Sequence, residues 1–148
     1  MISMVSDRRL AWGLGLAGLL PFIGSSIAVW VAPTVWKVSS IYAFTYYGAV
    51  ILSFLGGIHW GSALQVPRDN NVRRLVLAMV PSLIAWPALL FNTVTGLWVL
   101  LAGFLLMGGY DISREGREGF PKWYLSLRCV LTAVVAIFHL IVLWRLSL

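Results

Sequence analysis

Apolar residues in this chain do not alternate with polar ones at a strand or a helix period; they run on in long blocks. Five blocks, at about residues 10–32, 41–65, 72–91, 94–110 and 124–145, contain no Asp, Glu or Lys in their interiors. A helix needs about 20 such residues to cross a bilayer, so each block predicts a membrane span. The intervening segments carry turn chemistry: Pro33 with residues 37–40, residues 67–71, Asn92 with Thr93, and residues 113–122. These connections are short, which makes consecutive helices antiparallel neighbours. The tightest cut is at Asn92–Thr93. As one helix, residues 72–110 would be roughly 58 Å long at the α-helical rise, far more than the thickness of a bilayer. The chain must therefore turn there, at its only polar point. The expected fold is an all-α integral membrane protein, a five-helix antiparallel bundle forming a single domain over residues 1–148.

Composition agrees with this pattern. Hydrophobic residues make up 60% of the chain, charged residues 11%, and the mean hydropathy is +0.89, whereas a soluble domain carries about 25% charged residues. The start of the chain resembles a signal peptide, with Arg8 and Arg9 before an apolar run. That run lasts about 23 residues, against the 7 to 15 of a cleaved segment, so it reads as a retained first span.

The net charge of +6 bears on orientation, not on nucleic acid. Cytoplasmic loops are enriched in Lys and Arg. With five spans, Arg8, Arg9, Arg68, Arg73, Arg74, Arg114, Arg117, Lys122 and Arg128 collect on one side, and only Lys37 and Arg145 on the other. Merging the third and fourth spans would destroy this bias. The expected arrangement is N-terminus inside and C-terminus outside, in a bacterial inner membrane. The single cysteine, Cys129, permits no internal disulfide and no thiolate cluster. Nothing in the sequence marks a haem, zinc or nucleotide site, and neither a cofactor nor a metal is expected.

Helices in lipid associate through small residues that allow close approach. The second span carries Ala49, Ser53, Gly57 and Gly61 at a strict spacing of four, a continuous small face read as a packing surface. Ala11, Gly15 and Gly18 offer a weaker version in the first span. Pro81 should kink the third span and free a carbonyl for Ser82 or a neighbour. Trp12, Trp30, Trp36, Trp98, Trp123 and Trp144 lie near span ends and read as interfacial anchors.

Ionisable residues at membrane depth need a reason. His59 lies about 9 Å below the cytoplasmic boundary by the helical rise, and Asp111, Tyr124 and Arg128 fall at similar depth. Asp111 and Arg128 would be tolerable as a hydrogen-bonded pair, with His59 as a titratable third member. Two readings stay open: a polar lock fastening the second, fourth and fifth spans, or a site for a ligand or proton under the ring of Trp60. His139 lies about 22 Å from the start of its span, too far along the membrane normal to share an iron with His59, and reads as a satisfied histidine near the outer interface. Pores and pumps mark their paths with several intramembrane charges, and carriers often show repeated halves; neither pattern is present here.

The stretch Leu52-Ser53-Phe54-Leu55-Gly56-Gly57-Ile58-His59-Trp60-Gly61 resembles the domain of unknown function 3429 family, which includes the transmembrane protein 69-like group of mitochondria. The resemblance extends to Val80-Pro81-Ser82-Leu83 and to Trp123-Tyr124-Leu125-Ser126-Leu127-Arg128 with Leu131-Thr132, so it covers nearly the whole chain. It implies a small multi-span protein of bacterial inner membranes and, by descent, of mitochondria, and it implies no activity. It draws attention to His59, Trp60, Pro81, Trp123, Tyr124 and Arg128 without assigning roles. The expected function is that of a non-enzymatic accessory, assembly or scaffold component. Its partners would be the lipid bilayer and a membrane protein or further copies of itself. The alternative is a small-ligand site for a quinone, lipid or proton at His59, Asp111, Tyr124 and Arg128.

Overall fold

The computed structural model describes the backbone of residues 2–148 and the side chains from Asp7 onward. The described residues form helices and no strand: α1 (Ile2–Ala17), α2 (Leu20–Val31), α3 (Thr34–Gln65), α4 (Asn71–Ala88), α5 (Thr93–Ile112) and α6 (Lys122–Ser147). Four stretches, Asp7–Val31, Thr34–Gln65, Thr93–Ile112 and Lys122–Ser147, are long and apolar enough to cross a membrane. The fold class expected from the sequence is therefore correct: the protein is all-α and membrane-embedded.

Several boundaries differ from expectation, each for a local reason. The first apolar block is two helices broken at Gly18–Leu19, not one. Gly18 ends one helix and Pro21 sits in the first turn of the next, the usual placement of both residues. Tyr47 on α3 seals the break by donating its hydroxyl to the Gly18 carbonyl at 2.7 Å. The second span, α3, starts at Thr34, seven residues before the apolar block, because Pro33 sits at its N-cap and Ser40 bonds back to the Trp36 carbonyl at 2.8 Å. Polar residues can continue a helix beyond the lipid. Asn92 does cut α4 from α5: its side chain accepts a hydrogen bond from the Thr95 amide at 3.0 Å, a standard N-cap. α4 runs through Pro81 and Pro87.

α3 packs against α2, α4 and α5, while α6 packs against α5, α2 and α1. The shared core is apolar and aromatic, with Phe22, Phe44, Leu52, Leu97, Leu100, Phe104 and Val142 at most 1% exposed. The outside is apolar as well: Val31, Val72, Leu83 and Trp86 are all largely exposed, as a lipid-facing surface requires.

The closest approaches are made by glycines other than the two singled out in the second span. A Cβ on Gly56 would run into the Ala78 carbonyl and the Pro81 ring, and one on Gly103 would stand 2.6 Å from Leu52 Cδ2. Ala49 is buried, but a Cβ on Gly57 or Gly61 would meet nothing within 4 Å. The small face is thus only partly used inside the protein. A residue repeat of four drifts around a helix of 3.6 residues per turn, and by Gly57 it has turned outward.

The two ends of the molecule are marked by polar contacts. At one end, Arg68 lies 2.7 Å from Glu118 in an ion pair that falls short of hydrogen-bond geometry, and Asn70 reaches Glu115. These contacts join the α3–α4 and α5–α6 connections. At the other end the Trp30 ring packs edge-on against Trp144, with Arg145 over Trp30 at 5.5 Å.

Candidate functional site

Three buried ionisable side chains from three helices converge. His59 comes from the last third of α3, Asp111 from the end of α5 and Arg128 from the second turn of α6. His59 Nε2 and Asp111 Oδ1 are 2.6 Å apart, and Arg128 donates through Nε to Asp111 Oδ2 at 2.7 Å. Asp111 is 2% exposed and Arg128 5%. Each carboxylate oxygen has its own partner, so the aspartate is saturated on both sides. Arg128 supplies the compensating charge that a buried carboxylate requires.

Around His59 stand Tyr110 at 5.0 Å and Phe120 at 5.5 Å between ring centres, both edge-on. These supply the aromatic wall expected from Trp60, whose side chain is 40% exposed. Trp123 and Tyr124 meet edge-on at 6.2 Å. Tyr124 stacks on Phe120 at 4.6 Å, and its buried hydroxyl has no hydrogen-bond partner among the described residues. Tyr124 thus borders the cluster without joining its bonds.

Two residues were not visible as site members in the sequence. Arg74, which the sequence shows only as one of the cytoplasmic-side charges, is buried; it donates to the Val66 carbonyl at 2.7 Å, to Asn71 Oδ1 at 3.1 Å and to Ser62 Oγ at 3.4 Å. It stitches the end of α3 to the start of α4, where free helix-terminal carbonyls attract a cation. Thr132 lies one turn beyond Arg128, and its Oγ1 is buried without a partner among the described residues, as is Arg128 Nη2. A run of apolar neighbours masks such a residue in the sequence.

His139 belongs to a different cluster. It is fully buried among Phe22, Phe44 and Phe104, and among the described residues only its Nδ1 is bonded, to the Val135 carbonyl at 2.8 Å, so it is only half satisfied. Among the described residues, no group of three or more His, Cys, Asp or Glu side chains is placed to hold a metal ion.

A family model described as "Protein of unknown function (DUF3429)" matches residues 8–144. The chain is 37% identical over 132 residues to Transmembrane protein 69 of Xenopus tropicalis, covering 86% of this chain and 51% of that one. It is 31% identical over 153 residues to Transmembrane protein 69 of Mus musculus, covering 95% and 58% respectively. The chain thus spans a little over half the length of these relatives. No solved structure matches it.

Proposed function

We propose that this chain, which belongs to the DUF3429 family, is a non-catalytic component of a membrane assembly that docks against a helix of another membrane protein through the outward face of α3. One observation carries the reading. α3 packs against α2, α4 and α5, yet Gly57 and Gly61 on it face open space. Glycine inside a helix costs about 0.5–1 kcal/mol relative to alanine, and no contact among the described residues calls for it at these two positions. In lipid, glycines one turn apart allow a second helix to approach closely. A groove of about 310 Å³ lies over them, flanked by Ile58, Ser62, Gln65 and Phe120, so polar groups are available at its edge to hydrogen-bond a partner.

The triad fits the same reading as an internal lock, since each charge in it is met by another member. The distribution of Lys and Arg supports an N-terminus on the cytoplasmic side of a bacterial inner membrane. A five-span count is supported by α4, which joins the α3–α4 connection at one end to Asn92 at the other.

The test is a pull-down in mild detergent of wild type beside the double variant Gly57→Leu, Gly61→Leu, with bound proteins identified by mass spectrometry. A defined membrane protein should co-purify with wild type and be lost from the variant at equal expression. An unchanged set of partners, or a stable species running alone, would overturn the reading. A wild-type species containing only further copies of this chain, and dissociated by the two substitutions, would replace the foreign helix with a second copy.

A further inference from the structure

A pocket of about 190 Å³, lined by Arg128 but not by His59, opens between α1, α3 and α6. Its walls are apolar, among them Gly15 and Phe104, and two polar side chains reach it, Arg128 and Thr132. Leu14 and Phe54, which also line it, are 64% and 63% exposed, so its mouth faces the lipid between α1 and α3.

Both polar side chains hold an unused donor. Arg128 commits Nε to Asp111, while its Nη2 is buried and unpartnered among the described residues. Thr132 differs from Ser40 and Thr45 on α3. Ser40 and Thr45 each bond back to the carbonyl four residues earlier, the ordinary local solution for a hydroxyl in a helix. Thr132 does not; its Oγ1 is buried and unpaired among the described residues. Gly108 of α5 helps fix it there: a Cβ at that position would stand 2.7 Å from the Thr132 methyl, so only glycine leaves the threonine its place. Leaving a buried donor without a partner is costly, and here two such donors sit on adjacent turns of α6 beside one apolar pocket.

The geometry points to a binding site for a neutral, membrane-dissolved molecule that presents a carbonyl oxygen to Arg128 Nη2 and Thr132 Oγ1. Two donors call for an acceptor. Neutrality follows from charge: Asp111 already balances Arg128 at 2.7 Å, and a carboxylate head would bring a second anion against the same guanidinium. Size sets the rest. A cavity of about 150 Å³ holds one benzene ring, so this pocket takes a single ring or a short length of chain, with any tail leaving through the mouth into lipid. A quinone head and the ester carbonyl of an acyl lipid share this chemistry. The inference is independent of the docking surface on α3, which lies on other residues.

The protein, reconstituted in nanodiscs of ether-linked phosphatidylcholine, which has no acyl carbonyl, is titrated with decyl-benzoquinone and followed by thermal unfolding. Wild type should be stabilised saturably. Thr132→Val, which keeps the shape and removes the hydroxyl, should bind about fivefold more weakly, and Gly15→Leu, which fills the pocket from α1 against Leu127 and Leu131 of α6, should abolish saturation. If the quinone has no effect but ester-linked phosphatidylcholine stabilises wild type over the ether-linked lipid, and Thr132→Val erases the difference, the same pocket takes a lipid carbonyl. Stabilisation by either carbonyl source that is equal in wild type and both variants, or absent from all three, overturns the site.

Discussion

Gly56 on α3 lies directly beneath Pro81 on α4: a Cβ added at Gly56 would stand 3.3 Å from the proline Cγ and collide with the neighbouring Ala78 carbonyl. The next residue, Gly57, faces nothing. Adjacent glycines should therefore answer the same substitution with opposite signs. Gly56→Ala must push backbone away from backbone and is expected to destabilise by about 1–3 kcal/mol, the range for overpacking a filled site. Gly57→Ala should be neutral or stabilise by up to about 1 kcal/mol through helix propensity. Thermal unfolding in detergent measures both, and equal responses would contradict this packing.

The triad predicts a pattern of non-additivity. Arg128→Met leaves Asp111 buried with only His59, a loss of about 3–5 kcal/mol for a broken buried pair. Combining it with Asp111→Leu removes the stranded charge, and the double variant should recover most of the loss. Glu118→Gln serves as the contrast. Its partner Arg68 is near, but Glu118 is 57% exposed, and exposed pairs contribute under about 1 kcal/mol. A double-mutant cycle in one detergent distinguishes lock from ornament.

Tyr47 holds the break between α1 and α2. Its hydroxyl bonds the Gly18 carbonyl at 2.7 Å while its ring packs edge-on against Phe22 at 4.9 Å. Tyr47→Phe keeps the ring and removes the bond, with an expected loss of about 0.5–1.5 kcal/mol. Hydrogen exchange should quicken in the first turn of α2 and stay unchanged in α5.

Orientation can be read because Cys129 is the sole cysteine. In a Cys129→Ser background, Lys37→Cys should react with a membrane-impermeant maleimide in intact spheroplasts, and Glu118→Cys only after the membrane is opened. The reverse labelling would place the N-terminus outside.

Membrane character, most helix limits and a common level for His59, Asp111 and Arg128 along the bundle were legible in the residues alone. Insertion into lipid depends on each segment's own transfer free energy and on local turn chemistry such as that of Asn92. These are properties of a segment taken by itself. The break at Gly18 was missed because hydropathy does not change across it, although Gly18 and Pro21 carry the signal. Tertiary structure alone decided that Gly56 and not Gly57 meets α4, that Arg74 turns inward, and that Thr132 stands unpaired beside Arg128. Inside a bilayer, lipid tails are as apolar as leucine, so burial gives no hydrophobic preference for one helix face over another. The choice falls to shape and hydrogen bonding between residues far apart in the chain, such as His59 and Asp111 at a separation of 52, which depth along the membrane normal could suggest and only the packing of α3 against α5 could decide.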